Sequence, residues 1–257
     1  TVMALLDVRN LKKVYTTRFG KHPVQALSNV TFTVEEGEFV AIMGESGSGK
    51  TTLLNILGTL DKPTSGEVLL EGKRLTDIPE KALAAFRREQ LGFVFQEFNL
   101  LDTFTIRDNI FLPLVLAGKS YKEMTGRLEP IVRTLAIGHL LDKFPYEVSG
   151  GQKQKTAVAR ALITHPRIVL ADEPTGALDS RSSDELLELF GEINRQGQTI
   201  LMVTHSVKAA SHANRVMFIK DGEVFHQIYR GNRTRHEFYQ NISDTLTVIA
   251  TGGGGHA

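Results

Sequence analysis

The chain has 257 residues, of which 41% are hydrophobic and 23% are charged, proportions typical of a globular protein of one large or two small domains. The formal net charge of +1 indicates no strong attraction to nucleic acid or acidic lipid, so no nucleic-acid partner is expected. Because the chain contains no cysteine, disulfides, thiolate metal sites and a cysteine nucleophile are excluded, and a reducing cytoplasm is favoured.

Two strand-like segments open the chain, and a third leads into a glycine-rich stretch. Residues 5–14 mix apolar and polar side chains in near alternation, and residues 26–34 add β-branched side chains to the same pattern. Residues 39–43 form an apolar run that ends directly before the glycine-rich stretch. Three strands are therefore predicted before residue 44.

The glycine-rich stretch, residues 44–52 with the sequence GESGSGKTT, matches the pattern G-x-x-x-x-G-K-[ST] in full. Its glycines let backbone N–H groups surround phosphate oxygens, and the positive end of the following helix points at the same anion. Lys50 supplies a cation for the β- and γ-phosphates, and the Thr51 hydroxyl is expected to ligate Mg²⁺. A chance glycine-rich turn is the alternative, and the flanking strand and helix disfavour it. We therefore expect a nucleoside triphosphate to contact Gly44, Ser46, Gly47, Ser48, Gly49, Lys50, Thr51 and Thr52.

Beyond this loop the chain changes character twice. A helix is predicted over residues 79–90 and a strand over residues 91–95. The stretch that follows is almost purely helical, with helices predicted over residues 106–116, 121–135 and 152–163. We interpret it as a helical insertion in an α/β core.

The α/β pattern resumes with a buried strand over residues 167–173. An amphipathic helix follows over residues 182–195, with Ser182, Ser183 and Asp184 as candidates for its N-cap. A strand over residues 199–203 and a hairpin around residues 221–222 complete the pattern. Strands alternating with helices predict a mainly parallel sheet with ligands at the carboxyl ends of its strands.

Several polar residues stand where predicted strands end. Asp172 ends an apolar strand, a position from which a carboxylate reaches the Mg²⁺ shell in P-loop proteins, and Glu173 follows it. Gln96 and His205 each close another strand. A second glycine-rich helix start, at Ser149, Gly150, Gly151 and Gln152, has the features of a phosphate-binding site.

Together and in this order, these motifs resemble those of the ATP-binding-cassette (ABC) ATPases over about residues 5–230. The resemblance implies that Glu173 is the catalytic base, that Gln96 contacts Mg²⁺ and the attacking water, and that His205 contacts the γ-phosphate. It also implies that Tyr15 stacks on adenine and that Asp179 belongs to a loop between two ATP sites. A structural tyrosine and an ordinary helix cap are the respective alternatives for Tyr15 and Asp179.

The same resemblance implies the domain organisation. We expect a P-loop NTPase (RecA-like) core with a mainly parallel sheet, an antiparallel N-terminal β-subdomain and an inserted α-helical subdomain. One nucleotide-binding domain is expected over residues 1–240, with its core at 1–96 and 165–240 and the helical subdomain at 97–164. A flexible tail is expected over residues 241–257.

The family's mechanism implies the partners. Two copies clamp ATP head to tail, the signature of one copy (residues 149–152) covering the γ-phosphate held by the other. An integral membrane permease responds to the opening and closing of this dimer, which places the chain at the cytoplasmic face of the membrane. The apolar residues 98–104 are the expected docking stretch, with packing inside the helical subdomain as the alternative.

Four shorter stretches of the sequence resemble particular branches of the ABC ATPase family. Residues 54–66 and 171–180 resemble the mechanotransmission, lipoprotein-release and peptide-resistance ATPases, and residues 111–118 and 225–231 resemble the Bce-type members. Those act with a permease against antimicrobial peptides such as bacitracin and signal to a sensor histidine kinase.

Three other functions are weighed against this one. A related lipoprotein-release or cell-division ABC complex shares most of the motifs. A soluble ABC ATPase acting on nucleic acid or ribosomes is disfavoured by the single cassette, the missing coiled-coil insertion and the net charge. A P-loop kinase or GTPase leaves the signature and His205 unexplained.

Overall fold

The computed structural model of the protein describes residues 4–16 and 22–251. Within them the strands are β1 Leu6–Tyr15, β2 Val24–Val34, β3 Phe39–Met43, β4 Ser65–Leu70, β5 Lys73–Arg74, β6 Leu91–Phe95, β7 Ile168–Asp172, β8 Thr199–Val203, β9 Arg215–Lys220 and β10 Glu223–Tyr229. The α-helices are α1 Lys50–Leu57, α2 Glu80–Gln90, α3 Ile106–Leu116, α4 Tyr121–Leu135, α5 Gly150–Leu162, α6 Ser180–Arg195, α7 Val207–Ala210 and α8 Arg235–Ala250.

All of these strands belong to one sheet, in the order β5-β4-β1-β2-β10-β9-β3-β8-β7-β6. From β9 to β6 each neighbouring pair is parallel, whereas β1 pairs antiparallel with both β2 and β4. The expected α/β class is confirmed, with the antiparallel strands at one side of a parallel half. The carboxyl ends of β3, β7 and β8 consequently lie side by side.

The central strands are buried because both faces of the sheet are covered. Every residue of β3 and β8 is buried, and β7 is exposed to solvent only partly at its last residue, Asp172. Such uninterrupted apolar strands are typical of parallel sheets with helices on both faces. One core lies against α3 to α6 and α8, and the other lies against α1, α2 and the N-terminal strands.

The segment between β6 and β7 contains the helices α3, α4 and α5. Helix α5 packs against β6 and against α3 and α4, so this helical layer is fixed to the edge of the sheet. The expected subdomain boundaries at residues 97 and 164 stay a prediction.

Two expectations differ from the structure. The N-cap of α6 is Asp179, which has an extended backbone and whose side chain accepts from the amide of Ser182, so Ser182, Ser183 and Asp184 lie inside the helix. A flexible tail was expected from residue 241, whereas α8 continues to Ala250, with Phe238 and Ile242 fully buried in the core. The last residues of that expected tail, 252–257, lie outside the described residues.

Phe238 is expected to anchor α8. Its replacement by alanine removes a buried aromatic ring, so we expect Phe238→Ala to lower the free energy of unfolding by about 3–5 kcal/mol. The matched control is Tyr239→Ala, because Tyr239 is 40% exposed, and this change is expected to stay within about 0.5 kcal/mol. Urea titrations of both variants measure the difference; equal destabilisation would contradict this packing.

Candidate functional site

The glycine-rich loop turns sharply between β3 and α1. Gly47 and Gly49 have φ angles of +80° and +100°, in the region that glycine tolerates best. A Cβ on Gly49 would lie 2.5 Å from the carbonyl oxygen of Ala26, so no side chain fits there. Gly49 caps α1 without any side-chain hydrogen bond. The amides of the first turn of α1 therefore remain available to an anion.

Lys50 begins α1 and folds back over the loop. Its ammonium group donates to the carbonyl oxygens of Gly44 at 2.5 Å and Glu45 at 2.9 Å. Burial lowers the pKa of Lys50, while the carboxylates of Glu173 and Asp172 act in the opposite direction. An anionic ligand at the loop would offer this ammonium group stronger acceptors than two neutral carbonyls.

A cavity of about 390 Å³, the phosphate cavity, joins the loop to the ends of β7 and β8. Lys50 and Thr51 line it from the start of α1, and Asp172, Glu173 and His205 line it from the ends of β7 and β8. Its lining residues are Val24, Gln25, Ala26, Ser46, Gly47, Gly49, Lys50, Thr51, Thr52, Asp172, Glu173, Val203 and His205. The structure thus brings together most of the residues expected to bind phosphate and to catalyse hydrolysis.

Glu173 is fixed in the cavity by the strand next to it. Its amide donates to the carbonyl oxygen of Val203 at 2.8 Å, and its Oε1 accepts from the amide of His205 at 2.9 Å. The Nδ1 atom of His205 lies 2.7 Å from the same oxygen, and the Thr204 hydroxyl donates to Oε2 at 3.2 Å. The Glu173 side chain is only 17% exposed, so its carboxylate is confined to one position.

Charged groups crowd this cavity, and the pKa of Asp172 is shifted by its surroundings. Burial raises the pKa of Asp172, the charge of Glu173 raises it further, and Lys50 lowers it. Because Asp172 and Glu173 are adjacent, their negative charges repel each other in a partly dry site. A divalent cation or a further lysine contact would relieve this repulsion.

The residues at the cavity suit Mg²⁺. This ion prefers oxygen ligands and commonly uses one or two protein groups plus phosphate oxygens and water. Thr51 and Asp172, which carry a hydroxyl and a carboxylate, both line the phosphate cavity. No cluster of three or more His, Cys, Asp or Glu side chains that would hold a metal without a nucleotide occurs in the described residues.

Two expected site residues lie beside the cavity. The Gln96 side chain packs against Gly176, where a Cβ would lie 2.8 Å from the Gln96 Cδ atom. Tyr15 pairs with Val24, which lines the cavity, but its hydroxyl donates to Asp61 at 2.8 Å. Tyr15 is 39% exposed, and the Lys13 ammonium group lies over its ring, 4.9 Å from the centroid, so stacking of Tyr15 on adenine stays a prediction.

The second glycine-rich helix start forms a complete cap. The Ser149 side chain accepts from the amide of Gln152 at 3.2 Å, and the Gln152 side chain accepts from the amide of Ser149 at 2.9 Å. Gly151 lies against α6, since a Cβ there would be 2.9 Å from the Ser182 hydroxyl. None of the residues 149–152 lines the phosphate cavity of the same chain.

Asp179 is the N-cap of α6, the structural role that the sequence left open as an alternative. Its Oδ1 accepts from the amide of Ser182 at 2.9 Å and its Oδ2 accepts from the Ser182 hydroxyl at 2.8 Å. These hydrogen bonds lower the pKa of Asp179. A role for Asp179 at a second ATP site stays a prediction.

Some residues of this site were not predicted from the sequence. Val24, Gln25 and Ala26 line the phosphate cavity from β2, which a local pattern does not reveal. Thr204 is fully buried and donates to Glu173. A polar residue between an apolar strand and His205 was the available signal for Thr204.

Comparison with known proteins gives consistent results. A family model described as ABC transporter matches residues 27–176. Over 248 residues the chain is 52% identical to the uncharacterized ABC transporter ATP-binding protein YvcR of Bacillus subtilis, covering 96% of this chain and 95% of that protein. It is 46% identical over 248 residues to the bacitracin export ATP-binding protein BceA of Halalkalibacterium halodurans, covering 96% and 97%.

The fold also resembles that of a solved structure. The dimeric post-hydrolysis state of the ATP-binding cassette MJ0796 bound to ADP and Pi superposes with a TM-score of 0.78 and 39% sequence identity, covering 87% of this chain and 98% of that chain. Among the described residues, none of the helices combines the length and the apolarity needed to span a bilayer.

Replacing Asp172 by asparagine is expected to stabilise the protein in the absence of nucleotide and Mg²⁺. The raised pKa of Asp172 means that its charged form is less favourable in the folded than in the unfolded state. The asparagine variant should therefore resist unfolding better at pH 7. This advantage should shrink as the pH falls through the native pKa and vanish below the unfolded pKa.

Thermal unfolding from pH 4 to pH 8 measures this difference, with exposed Asp102 changed to asparagine as the control. An Asp172→Asn variant that is less stable than the wild type at pH 7 would contradict the electrostatic account.

Proposed function

The chain belongs to the ABC transporter family and is an ATP-hydrolysing cassette subunit, and on that premise we propose that it drives a membrane permease that protects cells against cell-wall-directed antimicrobial peptides such as bacitracin. The observation that carries the proposal is the 46% identity to a bacitracin export ATP-binding protein over nearly the whole of both chains. A lipoprotein-release or cell-division complex is the second candidate, since the cassette fold serves such partners equally well.

The geometry supports specific roles for the residues of the phosphate cavity. The loop amides and Lys50 would bind the phosphates of ATP, which replace the loop carbonyls as acceptors for the Lys50 ammonium group. Thr51 and Asp172 would ligate Mg²⁺, with Gln96 joining them after a rotation of its side chain away from Gly176. Bound Mg²⁺ would neutralise negative charge on the phosphates.

Glu173 would act as the general base. It would accept a proton from the water that attacks the γ-phosphorus, and the bond between the γ-phosphorus and the bridging oxygen would break to give ADP and phosphate. His205 and Thr204 fix the carboxylate by three contacts, so little reorganisation precedes proton transfer. The His205 side chain is 76% exposed. The part of its ring that does not contact Glu173 would then contact the γ-phosphate.

A second copy of the chain completes the site in this proposal. The start of α5 has the form of a phosphate-binding helix terminus, yet it lies outside the phosphate cavity of its own chain. A head-to-tail dimer would place Ser149, Gly150, Gly151 and Gln152 over the γ-phosphate bound by the partner copy, with Asp179 nearby. The dimeric state of the related MJ0796 cassette supports this arrangement.

An apolar groove provides a surface for the permease. This docking groove, of about 470 Å³, lies between α2, β6, α3 and α5 and is lined by Leu60, Ala84, Arg87, Arg88, Leu91, Gly92, Phe93, Phe95, Leu112, Pro113, Leu116, Arg160, Ala161 and Thr164. Its rim residues Leu60 and Leu116 are 54% and 65% exposed. Their apolar side chains are a typical contact for an amphipathic helix of a partner.

The docking groove lies apart from residues 98–104, the stretch that the sequence predicts to contact the permease. Residues 98–104 do not line it, but Arg160 lines it and donates to the carbonyl oxygens of Phe98 and Asn99. We propose that the permease binds in the groove and contacts Arg160, whose hydrogen bonds connect the groove to residues 98 and 99. Peripheral attachment at the cytoplasmic face of the membrane and signalling to a sensor histidine kinase would both depend on that permease.

Glu173→Gln is expected to stop hydrolysis without preventing ATP binding. Loss of a general base lowers turnover by about 10²-fold or more, while the loop and Lys50 still bind the nucleotide. ATP should then convert the variant into a persistent dimer, measured by light scattering after size-exclusion chromatography. Lys50→Ala is the control that should not dimerise; a monomeric Glu173→Gln variant at saturating ATP would exclude the clamp.

Cells whose only copy carries Lys50→Ala are expected to become sensitive to bacitracin-like peptides. The variant lacks the cation that binds the β- and γ-phosphates, so ATP binding and hydrolysis no longer drive the permease. Minimal inhibitory concentrations measure the effect, with Lys81→Ala, an exposed lysine outside the site, as the matched control. Unchanged susceptibility to every peptide tested would remove the resistance proposal and leave the transport proposal standing.

A further inference from the structure

Gln154 is a fully buried polar residue that neither ATP binding nor hydrolysis has so far explained. It lies in the second turn of α5, and its relative exposure is 0%. Its Nε2 donates to the carbonyl oxygen of Phe95 at 2.9 Å and to that of Pro174 at 2.6 Å. Phe95 directly precedes Gln96, and Pro174 directly follows Glu173. One amide group therefore joins the two strand ends that carry these site residues.

The hydrogen-bond pattern shows what this position requires. Both partners are carbonyl oxygens, which only accept, so the side chain must present a donor with two hydrogens. The other end of the amide, Oε1, has no hydrogen-bond partner among the described residues. A buried acceptor without a partner is costly, so the two donated bonds must outweigh it. The position is thus specific for a bridging donor rather than for packing.

The strand end that Gln154 contacts is conformationally strained. Glu173 has a φ angle of +45°, which residues other than glycine adopt only when the surrounding structure enforces it. On one side, Glu173 is constrained by Val203 and His205. On the other side, the next residue along the chain is Pro174, which lacks an N–H, and its carbonyl oxygen is bound by Gln154.

A second side chain of α5 acts in the same way on the loop after Gln96. Arg160 donates to the carbonyl oxygens of Phe98 at 2.9 Å and Asn99 at 2.6 Å. Both residues have positive φ angles, +24° and +52°. Helix α5 therefore contacts the residue next to strained Glu173 and the strained backbone of the loop after Gln96.

We propose that Gln154 is a positioning residue for hydrolysis, which fixes Glu173 relative to Gln96 and ties both to the helix that starts at Ser149. This inference depends on the proposed role of Glu173 as the base. A movement of the start of α5 would shift Gln154, and through Pro174 it would shift Glu173. In a head-to-tail dimer, the start of α5 would face the ATP of the partner copy. Gln154 would then link the position of Glu173 at one ATP site to the binding of nucleotide at the other.

The test replaces Gln154 by methionine, which has a similar length but no donor. We expect turnover at saturating ATP to fall about tenfold or more, because small displacements of a catalytic group have large effects on rate. The equilibrium affinity for ATP should stay within about twofold of the wild type, because the phosphate loop is unchanged. A Gln154→Met protein with wild-type turnover would overturn the proposal.

The matched control is Gln198→Met. Gln198 also donates from Nε2 to two backbone carbonyl oxygens, those of Pro166 at 3.2 Å and Thr199 at 3.1 Å, but at the amino end of β8. It should alter stability without lowering turnover. If Gln154→Met does not fold, Gln154→Asn keeps the amide but is too short to bridge both carbonyls, and it carries the same expectations.

A double-variant measurement separates positioning from a general structural effect. If Gln154 acts through Glu173, adding Gln154→Met to Glu173→Gln should change the residual turnover by less than about twofold. A further tenfold loss would overturn the inference. If Glu173→Gln alone keeps wild-type turnover, the proposed base is wrong; if it abolishes turnover while Gln154→Met does not, only the present inference fails.

Discussion

The parallel pairing of β3, β7 and β8 is the constraint on which the rest of the structure depends. In register, Ala41 lies beside Met202 and Ala171 lies beside the same residue, so the three strands end at one edge of the sheet. The phosphate loop follows β3, Asp172 ends β7 with Glu173 directly after it, and His205 follows β8. The parallel apolar strands thereby bring together polar groups, such as Lys50 and Asp172, that are more than 120 positions apart in the sequence.

This convergence concentrates charge in a partly dry space. Lys50 faces Asp172 and Glu173, and the pKa of Asp172 is raised while that of Lys50 is lowered, both chiefly by burial. Groups with pKa values shifted by burial and by neighbouring charges are concentrated at binding and catalytic sites. The magnesium-bound nucleoside triphosphate proposed above would bring negative charge to Lys50 and a cation to the two carboxylates.

Local patterns in the sequence predicted most of the fold, because strand alternation, helical spacing and a complete phosphate-loop pattern depend only on neighbouring residues. The start of α6 was placed at Ser182 rather than Ser180 because Ser182, Ser183 and Asp184 are all good cap types. Asp179, for which a helix cap was weighed as the alternative role, has the extended backbone of the cap. Helix α8 was missed, although its apolar residues 238, 242, 246 and 249 have helical spacing among many polar ones. The bridge made by Gln154 spans 59 and 20 positions and depends on tertiary packing, which no local pattern contains.

The contacts of α5 give a physical route between three surfaces. Its first residues face outward as a helix terminus, Gln154 contacts the backbone beside Glu173 and Gln96, and Arg160 lines the docking groove while binding the loop after Gln96. A helix transmits displacement along its axis because its backbone hydrogen bonds resist bending. A permease bound in the proposed docking groove would therefore act on the same helix that, through Gln154, is proposed to position Glu173. Conversely, closure of a dimer over the start of α5 would move Arg160 in the groove, so docking and hydrolysis would be coupled in both directions.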